Sequence, residues 1–542
     1  MKPASTCCLF RLGISSAVLG TLVMPQACPA AAISWNGAAS GGTWGTTKTN
    51  WSTEEVEPWS VENGPSNRAT FDTAALTLTV NAATTNGITF TQVATLSGGT
   101  LTLAGAAPTI SGSGIIRSVV AGNVGFTQTA SSALTLSGAN TYSGETLIQG
   151  GILKITHFSA LGTPAGKTTV DAGGELELTG NNLTVSEPLT LNGGELCGDS
   201  SYSHTYEGAI TLTANSALSS DAGSLKVTSV IDGGFGFTKV GTGVLALSGE
   251  NTYSGGTTLS TGTLAIHNAK ALGTGAFTIS SGTLDNSSGA PVINANNNAQ
   301  NWNGDFSYVG RNNLDLGTGT VTLDGNRIVS CDYEPSTLIV SGVIADGAND
   351  YSITKSGHGK LALAGANTHS GGTSLNAGTL YVNHAKALGT GALTITGGTL
   401  DSNSVDTITN SNNNAQNWNG DFTFHGTKNL SLGTGAVTLG GNRVVTSNYN
   451  ILTVSGVIGD GANTYSLTKA GAGTLALAEA NTYKGGTILN AGVLAINHAQ
   501  ALSTGELTIN GGTLDNSTTG TVTNSNNNAQ NWNGDFTFHG SK

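Results

Sequence analysis

One phrase is written four times in this 542-residue chain, and it limits the possible folds more than any other feature. It reads LTLSGANTYSGETLIQGGILKI from Leu134 to Ile155 and LALSGENTYSGGTTLSTGTLAI from Leu245 to Ile266. It reads LALAGANTHSGGTSLNAGTLYV from Leu361 to Val382 and LALAEANTYKGGTILNAGVLAI from Leu475 to Ile496. Successive copies lie 111, 116 and 114 residues apart. A phased repeat of this kind marks a stacked array, in which each unit buries its apolar side on its neighbours, and not one globular core.

Apolar residues alternate within and after each copy, as in Leu245 and Leu247, Leu264 and Ile266, Phe277 and Ile279, with Ala, Ser and Thr between. A period of two means strands with one face buried. Gly-Gly, Asn-Thr, Ser-Gly and Asp-Gly steps punctuate them as turns. Charged residues are only 10% of the chain, and Gly is abundant at 79 residues. Each module is expected to hold roughly a dozen short strands in about five rungs of roughly 20–29 residues, three strands to a rung. The whole array then makes roughly 20 rungs and a rod of order 100 Å.

The fold expected from this pattern is an all-β parallel β-helix. The near-identical runs NNNAQNWNGDF at 296–306, 412–422 and 526–536 fall at one phase of the module, with Asn suited to left-handed turns and amide pairing. A propeller blade of about 40–50 residues does not divide the module, and sandwich strands are longer than these.

Residues 1–32 differ from the rest. Lys2 and Arg11 precede an apolar run from Leu12 to Val23, and small residues end in Ala30-Ala31-Ala32. This is the layout of a secretory signal, with cleavage expected after Ala30 or Ala32; a lipoprotein start at Cys28 fits less well beside Pro29. Without that segment, 18 basic residues face 32 acidic ones, a net charge of −14. Such a chain has no basic stripe for nucleic acid. Cys197 and Cys331 remain, in different modules, so no intramolecular disulfide and no metal spacing is expected.

At the phrase G-x-N-T-Y-S-G-G-T-x-L-x-x-G-x-L the chain resembles the autotransporter-associated β-strand repeat of bacterial passenger proteins. The matching residues are Gly138, Asn140, Tyr142 and Gly144, then Gly249, Asn251, Tyr253 and Gly255. In the later copies they are Gly365, Asn367 and Gly371, and Asn481, Tyr483 and Gly485; His369 replaces the Tyr and Glu479 the leading Gly. Trp35, Trp44 and Trp51 before Phe71 resemble the family's lead-in. The division is then 1–32 signal, 33–133 lead-in or cap, and modules at 134–244, 245–360, 361–474 and 475–542, the last incomplete. The resemblance implies a right-handed parallel β-helix, exported to the outside or outer-membrane surface of a Gram-negative-type bacterium. Membrane attachment is expected only through a C-terminal translocator barrel, whose strand pattern is not found before Lys542.

The repeats also hold residue types that can carry chemistry. Gly357-His358-Gly359 is similar to a polygalacturonase segment, but its equivalents are Gly241-Thr242-Gly243 and Gly471-Ala472-Gly473. Asp285, Asp401 and Asp515 recur at one phase and Asp305, Asp421 and Asp535 at another; repeated carboxylates read as turn caps before acid–base pairs. His267, His384 and His498 change places with Asn between modules, and the calcium-turn-like run from Asp346 to Asp350 is isolated, so no metal and no cofactor is expected. Trp302, Trp418 and Trp532, beside Asn303, Asn419 and Asn533, are the candidates for stacking on and hydrogen bonding to extracellular glycans; the alternative is that each Trp plugs a rung. The expected function is a non-catalytic surface passenger for adhesion or display, meeting glycans or a host or neighbouring cell surface. The alternative is a polysaccharide-active β-helix enzyme.

Overall fold

A computed structural model describes residues 32–35, 43–44, 51–52, 68–71, 76–129, 131–199 and 202–540. Of the expected signal, residues 1–31 with the Ala30 cleavage site lie outside these residues, and only Ala32, the alternative cleavage site, is described. Among them the secondary structure is entirely β, in short strands of mostly three to five residues, and no helix is long and apolar enough to cross a membrane. The strands stack in parallel as a three-sided β-solenoid of about 22 turns with about 21 residues per turn. The ladder already runs through the lead-in, where Arg68–Phe71 pairs with Gly87–Ser97, which pairs with Thr109–Ile116.

Alternation sets what lies inside. In Thr257–Leu259 the outer two residues are buried and Thr258 faces out, and Phe277–Ile279 repeats this above it in register. The interior is one continuous column of Leu, Ile, Val and Phe, including Leu245, Leu264 and Leu284 stacked over three rungs. Parallel stacking satisfies the backbone of each rung on the rungs above and below, as a solenoid requires.

The module is not a whole number of rungs. From Phe126 one ladder climbs five steps, through Thr146, Thr168, Leu189 and Ile210 to Ile231. The next copy begins at Phe237, one strand later and on the neighbouring ladder. From Phe237 the steps are Thr257, Phe277, Gln300, Val321 and Ile344, and the third copy begins at Ile353 on the next ladder again. The same holds from Ile353 to Ile458 and then Leu467. Each module therefore spans five and a third rungs, sixteen strand positions where a dozen were expected, and turns the phrase one face around the rod. Loops such as 249–256 and 267–276 replace strands on one face for two successive rungs, so each face is interrupted at a different height.

Candidate functional site

The phrase residues tie rungs together. Asn251 Oδ1 accepts from Ile231 N at 2.8 Å on the rung below, and its Nδ2 donates to Ala271 O at 2.6 Å on the rung above. Asn140, Asn367 and Asn481 repeat both bonds within 0.1 Å. This amide replaces a peptide group where the strand ladder is broken. Tyr142, Tyr253 and Tyr483 are fully buried and pair their hydroxyls with Thr146, Thr257 and Thr487. Gly144, Gly255, Gly371 and Gly485 lie so close to backbone one rung below that a Cβ would collide with it.

His369 keeps the tyrosine's contact, with Nε2 3.1 Å from Thr373 Oγ1, but its Nδ1 is buried without a partner among the described residues. Burial pulls its imidazole down to about 4. Between that value and the ordinary value near 6.5 the unfolded chain binds the extra proton, so stability falls as pH drops through this window. The expected loss is about 3 kcal/mol at pH 4 relative to pH 7. Urea titrations with amide exchange over 361–382 should show it, and His369→Tyr should remove it; equal acid sensitivity in both proteins would refute this assignment.

Three of the four repeats also contain a buried cation, a few residues before the phrase begins. Lys239, Lys355 and Lys469 are all 0% exposed. Lys355 Nζ donates to Ser356 O at 2.6 Å, Gly357 O at 2.7 Å and Ala377 O at 3.1 Å, and the other two make the same three bonds. Burial pulls each ammonium down to about 8. In the first copy Gln128 takes this place and donates to Ser132 O and Ile152 O.

The tryptophan expectation needs correction. Trp302 and Trp418 are 0% exposed, because the alternation of Gln-Asn-Trp points Gln and Trp inward and Asn outward. Each indole donates to its own Gln at 3.2 Å, packs edge-on against Phe306 or Phe422, and is covered by Leu323 or Leu439 above. A sugar cannot reach these rings, which plug their rungs. Trp532 makes the same contacts to Gln530 and Phe536 but is 66% exposed, with no covering strand among the described residues. Asn303, Asn419 and Asn533 are exposed.

The repeated carboxylates tie rungs as well. Asp305 and Asp421 accept from Ile328 N and Val444 N at 2.8 and 2.9 Å, one rung away and not locally. Asp401 is buried and accepts from Ser402 N, Gly426 N and Thr427 N. His267 Nε2 lies 3.1 Å from Ser287 Oγ, but that hydroxyl donates to Asp285, so the order of a nucleophilic triad is absent. Cys197 and Cys331 are free and buried. Among the described residues no three His, Cys, Asp or Glu side chains group to hold a metal. One unrepeated arrangement remains, a groove of about 250 Å³ floored by Gly151, Gly173, Gly174, Gly193 and Gly194. Glu175 and Glu195 stack there in register, and burial together with the neighbouring carboxylates pushes Glu175 up to about 7.

Residues 126–155, 237–266, 353–382 and 467–496 match the passenger-associated-transport-repeat family. The chain is 30% identical over 562 aligned residues to an adhesin autotransporter, BmaC, of Brucella suis biovar 1 (strain 1330). That alignment takes in 91% of this chain and 15% of the relative, so the chain spans about a seventh of the length of the relative it matches. No solved structure matches. The chain thus carries four copies of the passenger-associated-transport repeat.

Proposed function

For a chain built on passenger-associated-transport repeats, we propose a non-catalytic rod, exported and displayed at the cell surface, that makes adhesive contacts. One observation carries this reading: the repeated polar residues are consumed in holding rung to rung. Asn251, Lys239 and Asp305 each bond a backbone group of an adjacent rung, so what repeats in them is a stacking contact. The similarity to an autotransporter adhesin supports the adhesive use. Beads coated with the full chain are expected to attach to glycan-covered cell surfaces above bare-bead controls, and equal attachment would sink the reading.

The enzymatic alternative has one observation in its favour, the Glu175–Glu195 pair, since two carboxyls side by side, Glu175 pushed up toward neutrality, resemble the arrangement of a glycoside general acid. Incubation with polysaccharides is expected to release no reducing ends. Turnover abolished by Glu175→Gln would decide for the enzyme.

A further inference from the structure

The eleven tyrosines divide sharply. Tyr142, Tyr206, Tyr253, Tyr308 and Tyr483 are buried, and Tyr351, Tyr381 and Tyr465 half-buried. Tyr202, Tyr333 and Tyr449 alone are exposed, at 39%, 39% and 64%. Tyr333 and Tyr449 are equivalent, 116 residues apart like the second and third copies of the phrase. Tyr333 turns the corner between Arg327–Cys331 and Thr337–Val340, and Tyr449 the corner between Arg443–Ser447 and Ile451–Val454. Tyr202 lies on the corresponding corner of the first module, one rung earlier, between Glu195–Gly198 and Ser203–Tyr206. Because each module advances by a third of a turn, the three tyrosines fall on three different corners. Successive rings are about 26–30 Å apart along the axis, at about 4.8 Å per rung.

We propose that Tyr202, Tyr333 and Tyr449 are contact points for an uncharged polysaccharide, one per module and one per corner, so that a single rod joins separate glycan chains. The inference rests on the adhesive reading above and names its ligand class. Each site offers one ring in polar surroundings: Asn448 and Asn450 flank Tyr449, whose ring meets His425 edge-on at 5.2 Å. That area suits a single sugar face and falls far below the roughly 800 Å² per partner of a stable protein interface. Asp332 and Glu334 flank Tyr333, and Asp221 stands one rung above Tyr202 on a chain already acidic, which disfavours anionic polymers. An exposed tyrosine combines apolar area with low side-chain entropy, the property that makes it common in recognition surfaces.

The test uses the full chain with laminarin, a neutral glucan, and polygalacturonate, an anionic one, immobilised side by side. Binding to laminarin is expected, with little to polygalacturonate. The triple Tyr→Ala variant should lose about tenfold or more in avidity on laminarin, because three linked contacts are removed together. The triple Tyr→Phe variant should bind like the parent, and both should melt like the parent because the rings are outside the core. Undiminished binding by the triple Ala variant, preference for polygalacturonate, or no laminarin binding would each overturn the proposal. Bead adhesion separates the two readings: beads that attach to cells without laminarin binding sink this inference alone, and beads that do not attach sink the adhesive function.

Discussion

Lys355→Met is expected to loosen the third repeat by about 2–4 kcal/mol, and Lys355→Gln by less. The methionine fills the same volume but leaves the carbonyls of Ser356, Gly357 and Ala377 without the donor that joins them. An orphaned buried acceptor costs about 1–3 kcal/mol, and relief from burying an ammonium offsets part of the sum. Gln128 shows how an amide serves at this place, donating to two carbonyls instead of three. Alkaline pH gives a second check. The ammonium loses its proton near pH 8 when folded and near 10.4 when unfolded, so the unfolded chain binds more protons in between. Stability of this repeat should therefore rise from pH 8 to 10.4, and the Met variant should lack that rise. Amide exchange over 353–382 reads both effects locally, as befits an array whose repeats are held mainly by their neighbours. Unchanged protection in the Met variant would mean the carbonyl cage contributes nothing.

The strands, the solenoid and the family were legible in the chain because alternation and the repeated phrase are one-dimensional signals. The third-of-a-turn advance was not. A module of 111 to 116 residues divides by eye into five rungs, and only the pairing of Ile344 below Ile353's neighbouring ladder reveals the extra strand. The lysines escaped for another reason. A charged residue in a strand ordinarily reads as solvated, and the phrase was bounded at Leu361, six residues after Lys355. Trp302 misled because Asn303 beside it looks like part of a sugar-binding edge, yet the strand's alternation turns the ring inward. Asp305 was recognisable as a cap, but the N–H that it caps belongs to Ile328, which sequence proximity cannot supply. Legibility thus fails where a side chain is committed to the next rung, since that partner lies 20 or more residues away.

Asn251→Ala should be about as severe as the loss of the lysine, about 2–5 kcal/mol, because it orphans a donor and an acceptor at once. Ile231 N has this amide as its acceptor where the strand ladder is interrupted, and Ala271 O keeps only a long bond from the Tyr253 hydroxyl at 3.5 Å once the amide is gone. Asn251→Asp separates the two halves of the bond. The carboxylate keeps the bond from Ile231 N but turns an anion toward the carbonyl of Ala271, which only a protonated acid can satisfy. Its folded pKa should therefore stand above the unfolded value near 3.9, so the variant's stability is greatest in acid and is lost as pH rises through the folded value. The chain contains an instance of this chemistry. Asn298, Asn414 and Asn528 each donate to carbonyls of the rung below, whereas the equivalent position in the first module is Glu187, 111 residues before Asn298. Glu187 is 5% exposed, and burial pushes its carboxyl up to about 7. The Asp variant should behave likewise, approaching the parent's stability in acid and the Ala variant's at neutral pH; a pH-independent loss would show that the donor half of the bond carries no weight.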